Sequence, residues 1–296
     1  MNIKEVAEKT YRIQVQLPGV FNTFTVYFIQ EDKGVVIDPG PTTVVPSIQE
    51  ALDQLGIKEL QYIIPTHIHV DHGGGTGNLA QLFPSARVIL HPLGKEHLVN
   101  TSRLIKSTRK TYGDNFETLL GAIVSVPESQ INTPDDGAII PLNGRELQIL
   151  YAPGHAPHHI AILDLKTKGL FCGEALGTPT KSAPLSPIPN AAPPSFDMDT
   201  YLDTIKKLQS MKPQSLFYAH DGVGKNPEVL ISNAAENTKT FGDIILKALK
   251  NGVDFKAINH EMQNYIFTHL GVTSEEMDTR ISVAGYTHYF KTIGLV

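Results

Sequence analysis

Apolar and polar residues alternate along the first half of the chain in a pattern that predicts short strands and helices. Apolar runs at 24–30 and 35–38 predict two strands separated by a polar turn. A helix is predicted next, because apolar residues recur there at helical spacing and Gly56 ends the pattern. Those apolar residues are Val45, Ile48, Leu52 and Leu55. Two further strands are predicted at 62–65 and 87–91.

The middle of the chain begins with polar, helix-like stretches at 95–109 and 114–123 and continues as a second strand-rich series. The strongest turn signal is Asn143-Gly144, which predicts a hairpin between the apolar segments on either side. The predicted strands of this series are 138–142, 145–151, 159–165, 169–172 and 215–219. Periodicity alone therefore predicts a mixed α and β fold.

Helical patterns replace strand patterns after the last predicted strand. The predicted helices cover 226–250, 255–270, 274–281 and 283–293. We therefore divide the chain into a domain of residues 1–225 and a C-terminal helical extension of residues 226–296. The extension could close over a site, support a homodimer, or do both.

Side chains that bind metals are concentrated directly after the apolar strand at 62–65. The segment reads HIHVDH and supplies His67, His69, Asp71 and His72. Alternate residues of an extended segment point to the same side, so the first two histidines can share one ion. Asp71 and His72 can then turn toward a second ion. This spacing predicts a metal site at the carboxyl end of a strand.

Five ordered elements between residues 13 and 221 resemble the metallo-β-lactamase-fold hydrolases. The HIHVDH segment matches the HxHxDH signature of that family. The other four elements are an early aspartate turn, a second histidine element, a carboxylate element and a last ligand element, at Asp38, His155, Glu174 and His220. His159 stands where the family often has a supporting histidine. The resemblance implies an α/β (α+β) fold, a four-layer αββα sandwich, followed here by the C-terminal helical extension.

The resemblance also implies which residues bind metal. The first ion would be bound by His67, His69 and His155, and the second by Asp71, His72 and His220. Asp38 would hold the metal loop through hydrogen bonds. Glu174 departs from the family, which usually has aspartate at the position that bridges the two ions. The longer side chain could still bridge, could bind one ion or could bind none, so the number of ions stays open.

Composition limits the class of function. The formal net charge is −5 and Lys and Arg are not clustered, which argues against binding to a nucleic-acid backbone. The single cysteine cannot form an internal disulfide, and because Cys172 follows two apolar residues we expect it in the core. The chain starts without the apolar run of a secretory signal, and no stretch approaches the about 18 apolar residues of a membrane span. We expect a cytoplasmic protein without a membrane role.

A Pro-rich stretch at 177–196 has no periodic pattern and closely follows Glu174. Long irregular segments inside a compact domain often serve function. Two interpretations are equally favoured, a wall of the substrate pocket and an extended loop that covers the core.

The histidines outside the five elements are expected to have ordinary structural roles. His91 ends an apolar strand and is predicted to be buried and hydrogen-bonded. His158 lies beside the second histidine element and either faces the pocket or is a hydrogen-bonded structural residue. The others have no ligand spacing and are His97, His260, His269 and His288.

The chemistry follows from two cations held close together. Cations about 3.5 to 4 Å apart can share a water molecule, lower its pKa toward about 7 and present hydroxide to a carbonyl or phosphoryl centre. Asp71 would orient that hydroxide or carry a proton to the leaving atom. Zinc is the first expectation because imidazole and carboxylate suit it, although the same ligands accept iron or manganese. We expect a hydrolase of a small-molecule ester-type bond, with a thioester or lactone favoured and the glyoxalase-II-like group as the nearest resemblance.

Two alternatives belong to other classes of function. A mononuclear iron oxidoreductase of thiols or persulfides would leave Asp71 and His72 without a role. A metal-binding protein without catalysis would result if Glu174 disables the bridge. Measurements of metal stoichiometry and of ester turnover distinguish the expected hydrolase from these two alternatives.

Overall fold

Two mixed sheets form the centre of the molecule. The structure is a computed structural model, and it describes residues 2–17, 23–180, 185–272 and 279–296. The strands of the first sheet are β1 (Lys4–Ala7), β2 (Thr10–Gln16), β3 (Thr23–Ile29), β4 (Gly34–Ile37), β5 (Leu60–Ile64), β6 (Arg87–Ile89) and β7 (Ile131–Asn132). They lie side by side in chain order, antiparallel from β1 to β4 and parallel from β4 to β7.

The second sheet contains the strands of the later apolar series. The remaining strands are β8 (Ile139–Leu142), β9 (Arg145–Tyr151), β10 (Ile160–Asp164), β11 (Gly169–Gly173), β12 (Thr178–Pro179), β13 (Pro187–Ile188), β14 (Ser215–Tyr218) and β15 (Val223–Gly224). The sheet order is β15-β14-β11-β10-β9-β8, and β12 and β13 form a separate hairpin within the Pro-rich stretch. The hairpin predicted around Asn143-Gly144 joins β8 to β9.

Helices cover the outer face of each sheet. They are α1 (Val45–Gln54), α2 (Val70–Gly73), α3 (Thr76–Leu82), α4 (Pro92–Val99), α5 (Ser102–Tyr112), α6 (Phe116–Leu120), α7 (Met198–Ser210), α8 (Pro227–Lys250), α9 (Phe255–Leu270) and α10 (Arg280–Thr292). Short 3₁₀ turns lie at Thr42–Val44 and Glu128–Gln130. Within the described ranges, no helix combines the length and apolar character needed to cross a membrane.

Side-chain alternation along the strands explains the four layers. On β3, Tyr27 and Ile29 face the second sheet, whereas Val26 and Phe28 face the helices of the first half. On β11, Phe171 faces the first sheet and Cys172 faces the helices of the second half. The order is therefore helices, sheet, sheet, helices, and the predicted αββα sandwich is confirmed. Cys172 is a fully buried core residue, as predicted.

Several elements differ from the sequence prediction. The single helical stretch predicted at 95–109 is two helices, because Asn100 is extended and its side chain accepts a hydrogen bond from the Ser102 backbone N–H. The elements that were not predicted are the strands β1, β2, β7, β12, β13 and β15 and the helices α2 and α7. Part of the helix predicted at 274–281 lies outside the described residues, whereas 283–293 corresponds to α10.

The C-terminal helices pack on the second sheet rather than standing apart from it. Phe241 and Ile245 of α8 and Tyr286 of α10 share one core cluster with Leu216 and Tyr218 of β14. Helix α7 starts at Asp197, whose side chain accepts a hydrogen bond from a backbone N–H of the first turn. The boundary at residues 225 and 226 and the homodimer stay predictions.

Candidate metal centre

The predicted ligands lie where strands of both sheets end. Asp38 follows β4 and the HIHVDH segment follows β5, its parallel neighbour in the first sheet. Glu174 follows β11 and His220 lies just beyond β14, which are parallel neighbours in the second sheet. A bridge between Phe24 and His220 connects the two edges. Carboxyl ends of parallel strands are where open α/β sheets bind ligands, and here two such ends meet.

His67, His69, His155 and Glu174 form the first ligand group. The Nδ1 atom of His69 lies 2.9 Å from Nε2 of His67 and 3.1 Å from Nε2 of His155. Glu174 Oε2 lies 2.8 Å from Nε2 of His155 and 3.4 Å from Nε2 of His67. One atom from each of the four residues lies within 4.8 Å of the others, so the group could hold one ion.

Asp71, His72 and His220 form the second ligand group. Asp71 Oδ2 lies 3.6 Å from Nε2 of His72 and 3.7 Å from Nε2 of His220. Both Nε2 atoms are buried and have no hydrogen-bond partner among the described residues. A buried polar atom without a partner costs free energy, and a metal ion would satisfy both nitrogens at once. The residues present therefore fit a divalent cation.

Glu174 lies between the two groups. Its Oε2 atom contacts the imidazoles of the first group and also lies 3.5 Å from Nε2 of His72. Its Oε1 atom lies 3.5 Å from Nε2 of His220. The extra methylene of glutamate therefore does not keep the carboxylate away from either group.

The second ring nitrogen of four histidines points away from the ligand groups toward a fixed partner. Nδ1 of His155 donates to the Asn190 carbonyl at 2.7 Å, and Nδ1 of His220 donates to the Thr23 carbonyl at 3.1 Å. Such outward partners fix the orientation of a metal-binding imidazole and select its tautomer. His67 Nδ1 makes a third such contact with Thr66 Oγ1 at 3.2 Å. His72 Nδ1 lies 3.3 Å from Asp38 Oδ2, an ion-pair distance without hydrogen-bond geometry.

The match to known proteins decides the family. The family model described as the metallo-beta-lactamase superfamily matches residues 18–220. The chain belongs to this superfamily. The match covers all seven ligand-group residues and leaves the C-terminal helices beyond it.

Relatives in this superfamily carry several names. A metallo-beta-lactamase fold-containing protein of Sulfurisphaera tokodaii is 27% identical over 203 residues, covering 67% of this chain and 73% of the relative. A hydroxyacylglutathione hydrolase of a Synechococcus species is 26% identical over 164 residues, covering 55% and 52%. An atrochrysone carboxyl ACP thioesterase of Pseudocercospora fijiensis is 23% identical over 243 residues, covering 80% and 59%. The predicted likeness to glyoxalase-II-like members is therefore confirmed at the level of relatives.

A solved structure extends the likeness to the whole fold. A metallo-beta-lactamase family protein of Thermus thermophilus aligns with a TM-score of 0.71 at 19% identity, covering 97% of this chain and 94% of that one. The alignment includes the C-terminal helices. At this identity it supports the fold and not the activity.

One histidine, one glycine and one tyrosine explain how the chain places Glu174. The backbone N–H of Glu174 donates to Nε2 of His159 at 3.1 Å, which is the supporting role expected of this histidine. Gly173 has a φ of 53°, and a Cβ there would lie 2.6 Å from His159 Nε2 and from Thr66 Oγ1. Tyr201 of α7 donates to the Glu174 carbonyl at 2.9 Å. The turn after β11 is therefore held tightly from both sides.

Asp38 braces the HIHVDH segment as predicted. Its Oδ1 atom accepts a hydrogen bond from the Thr66 backbone N–H at 2.7 Å, and its Oδ2 atom accepts one from the Thr66 hydroxyl at 3.1 Å. The same Oδ2 atom faces His72. One carboxylate thus holds both the start of the loop and a member of the second ligand group.

Burial and charge act in opposite directions on the groups of the site. Burial, with help from neighbouring imidazoles, lowers the pKa of His67 well below its ordinary value. Burial also lowers the pKa of His72, but the charges around it, Asp71 foremost, outweigh burial and raise that pKa. Burial raises the pKa of Glu174, but the imidazoles of His155, His220 and His67 together outweigh burial and hold the pKa well below its usual range. Glu174 is therefore ionised, the form in which a carboxylate binds cations.

Tyr112 is a neighbour of the site that the sequence analysis did not identify. It ends α5, and the charge of Asp71, then burial, then the charge of Glu174 raise the pKa of its hydroxyl. The side chain is exposed. Its hydroxyl therefore stays protonated in the field of the two carboxylates.

The other histidines have the roles expected or a related one. His91 is buried, begins α4 and accepts a hydrogen bond from the Leu93 backbone N–H at 3.1 Å, as predicted. His158 stacks on His67 with 6.2 Å between ring centroids. Its ring also lies 5.8 Å from that of His69. Its Nδ1 atom is buried without a hydrogen-bond partner among the described residues, so the hydrogen-bonded interpretation has no support at that nitrogen.

Proposed function

We propose that this protein is a binuclear metal-dependent hydrolase of a small-molecule ester-type bond. The observation that carries the proposal is the position of Glu174, whose two carboxylate oxygens contact imidazoles of both ligand groups. A mononuclear enzyme would have no use for a second buried group with the composition of Asp71, His72 and His220. Zinc is the first expectation for both ions, and iron or manganese suit the same donors.

Each residue has a defined part in this proposal. The first ion would be held by His67, His69 and His155, and the second by Asp71, His72 and His220. Glu174 would reach both. When bound, divalent cations polarise a carbonyl oxygen and acidify a water molecule.

Asp71 is the catalytic residue in this proposal. It is the partly exposed member of its group, so its carboxylate can contact both an ion and incoming substrate. It would orient the attacking water and receive or deliver a proton at the leaving atom. Tyr112 would donate a hydrogen bond to an oxygen of the substrate.

A thioester is the favoured substrate class, with a lactone second. The support comes from relatives, one named a thioesterase and one named a hydroxyacylglutathione hydrolase. The net charge of −5 argues against a nucleic-acid substrate, because binding a phosphate backbone requires clustered positive charge.

The deciding experiment measures metal content first and turnover second. Protein purified without added metal is analysed for ion identity and stoichiometry, then assayed against a thioester, a lactone and a phosphodiester. We expect two ions per chain and thioester turnover, both reduced in His155→Ala. His260→Ala is the matched control, because His260 is exposed on α9.

The same experiment separates the alternatives. One iron per chain, together with oxidation of a thiol or persulfide, would favour the mononuclear iron oxidoreductase over the proposed hydrolase. Two ions without turnover of any substrate would leave a metal-binding protein. A preparation that binds no divalent ion would contradict the hydrolase, the oxidoreductase and the metal-binding protein alike.

A further inference from the structure

Among the described residues, His155 is the one ligand-group histidine whose outward partner comes from the Pro-rich stretch. Its Nδ1 atom lies 2.7 Å from the Asn190 carbonyl, and a carbonyl can only accept, so Nδ1 carries the proton. The other ring nitrogen, Nε2, faces His69 and Glu174 and is the atom whose lone pair would bind an ion. The orientation of this imidazole depends on where the Asn190 backbone lies.

The backbone around Asn190 is fixed by its own side chain and by the C-terminal helices. The Asn190 amide donates to Thr178 Oγ1 at 2.9 Å, which closes the β12–β13 hairpin. Asn237 of α8 donates to the Pro187 carbonyl at 2.7 Å, and Ser282 of α10 donates to the Pro189 carbonyl at 3.2 Å. The Pro187 and Pro189 carbonyls of this segment thus accept hydrogen bonds from the C-terminal helices, whereas the Asn190 carbonyl accepts one from His155.

A glycine of α10 allows the closest of these approaches. A Cβ built on Gly285 would lie 1.9 Å from the Ala191 carbonyl oxygen and 2.6 Å from its carbon. Both atoms are backbone, so a side chain there must displace either α10 or the segment that carries Asn190. The ring of Tyr286, the next residue, packs 4.8 Å from that of Phe196 and holds the far end of the stretch.

The second ligand group has no comparable connection among the described residues. The outward contacts of its histidines go to Asp38 and to the Thr23 carbonyl, which belong to the first sheet. Helices α8 and α10 pack on β14, which leads to His220, but no hydrogen bond among the described residues joins them to the second ligand group, so a change in α10 should act mainly on the first group.

We propose that helices α8 and α10 set the orientation of His155 through residues 185–191, so that the C-terminal helices are part of the support of the first ligand group. Asn190, Ser282 and Gly285 are positioning residues in this arrangement. The inference rests on the metal site of the proposed function, but it concerns which ion responds and not which substrate is cleaved.

The test measures the affinity of each ion separately by competition with a chelator. His155→Ala and His220→Ala first define which affinity belongs to which ligand group. In Gly285→Ala we expect the affinity of the first ion to fall about 10- to 100-fold, the range for loss of an outer partner of a metal ligand, with the second ion unchanged. Cobalt substitution should show an altered absorption spectrum for the first site only.

Two further variants control for folding and for the substitution itself. Gly242→Ala makes the same change in the same helical layer, but its Cβ would press only on the flexible end of Met198 and would touch the Tyr286 ring at an ordinary contact distance of 3.5 Å, so both affinities should stay at the wild-type value. Ser282→Ala removes one half-exposed hydroxyl, should fold like the wild type, and should weaken only the first ion by a few-fold.

The outcomes distinguish this inference from the proposed function. If wild-type protein binds two ions but Gly285→Ala and Ser282→Ala leave the first affinity unchanged, the inference is wrong and the proposed function stands. Equal loss of both ions in Ser282→Ala would also overturn it. If the wild type binds no ion, the proposed function itself has failed.

Discussion

The two ligand groups are alike in chemistry but differ in what holds them. The histidines of the second group are fixed by Asp38 and by the Thr23 carbonyl, both at the edge of the first sheet. In the first group, His155 is fixed by the Asn190 carbonyl, which the C-terminal helices anchor. Residues of the short HIHVDH segment thus belong to two ligand groups that different parts of the chain hold in place. Outer contacts should therefore tune the two ions independently, whereas Glu174 couples them.

Glu174 gives the largest expected effect, because its two carboxylate oxygens contact imidazoles of both groups. In Glu174→Gln the side chain keeps its size but loses the charge that offsets the surrounding imidazoles. Removing one member of a buried charge pair typically costs about 3 to 5 kcal/mol. We expect both ions to bind more than about 100-fold more weakly, beyond the range for outer partners of ligands. Chelator competition measures both affinities.

Glu174→Asp is the matched variant, since it keeps the charge and shortens the side chain to the length usual in the superfamily. We expect it to retain two ions. If Glu174→Gln also retains both ions at wild-type affinity, the carboxylate does not join the two ligand groups. The two groups would then share no ligand.

Asp38→Asn should produce an intermediate effect that falls mainly on the second group. Asparagine retains an oxygen that can accept from the Thr66 N–H, but its amide would put a donor opposite Nδ1 of His72. The second ion should bind about 10- to 100-fold more weakly, as for other outer partners of metal ligands. The first ion should change less, and titration with a chelator reports both. Equal losses would mean that Asp38 acts by holding the whole loop.

The sequence predicted which side chains come together better than it predicted what holds them in place. Ligand side chains such as His155 and His220 have few other roles at strand ends, so their identity and spacing carry the prediction. The supports of both histidines are backbone carbonyls, of Asn190 and Thr23, and every residue type offers a carbonyl. Which carbonyl lies next to a given histidine is decided only by the tertiary structure.

The elements missed in the fold have a similar explanation. Strand β2 alternates in the sequence Thr-Tyr-Arg-Ile-Gln-Val-Gln, so its signal was present and overlooked. Strand β7 has two residues, too few for any period to appear. Helix α7 has a clear start signal at Asp197, but it follows directly on the Pro-rich stretch, whose irregular composition masked it.

Tyr112→Phe should give the smallest effect and should leave both ligand groups intact. The hydroxyl lies in the field of Asp71 and Glu174, which keeps it protonated, but it belongs to neither group. Losing one hydrogen bond to substrate costs about 0.5 to 1.5 kcal/mol, so kcat/KM for the best thioester should fall about 2- to 10-fold. Tyr265→Phe, on α9, is the control and should match the wild type. Lower turnover with unchanged metal affinities would assign Tyr112 to substrate, whereas weaker metal binding would make it part of the support of the ligand groups.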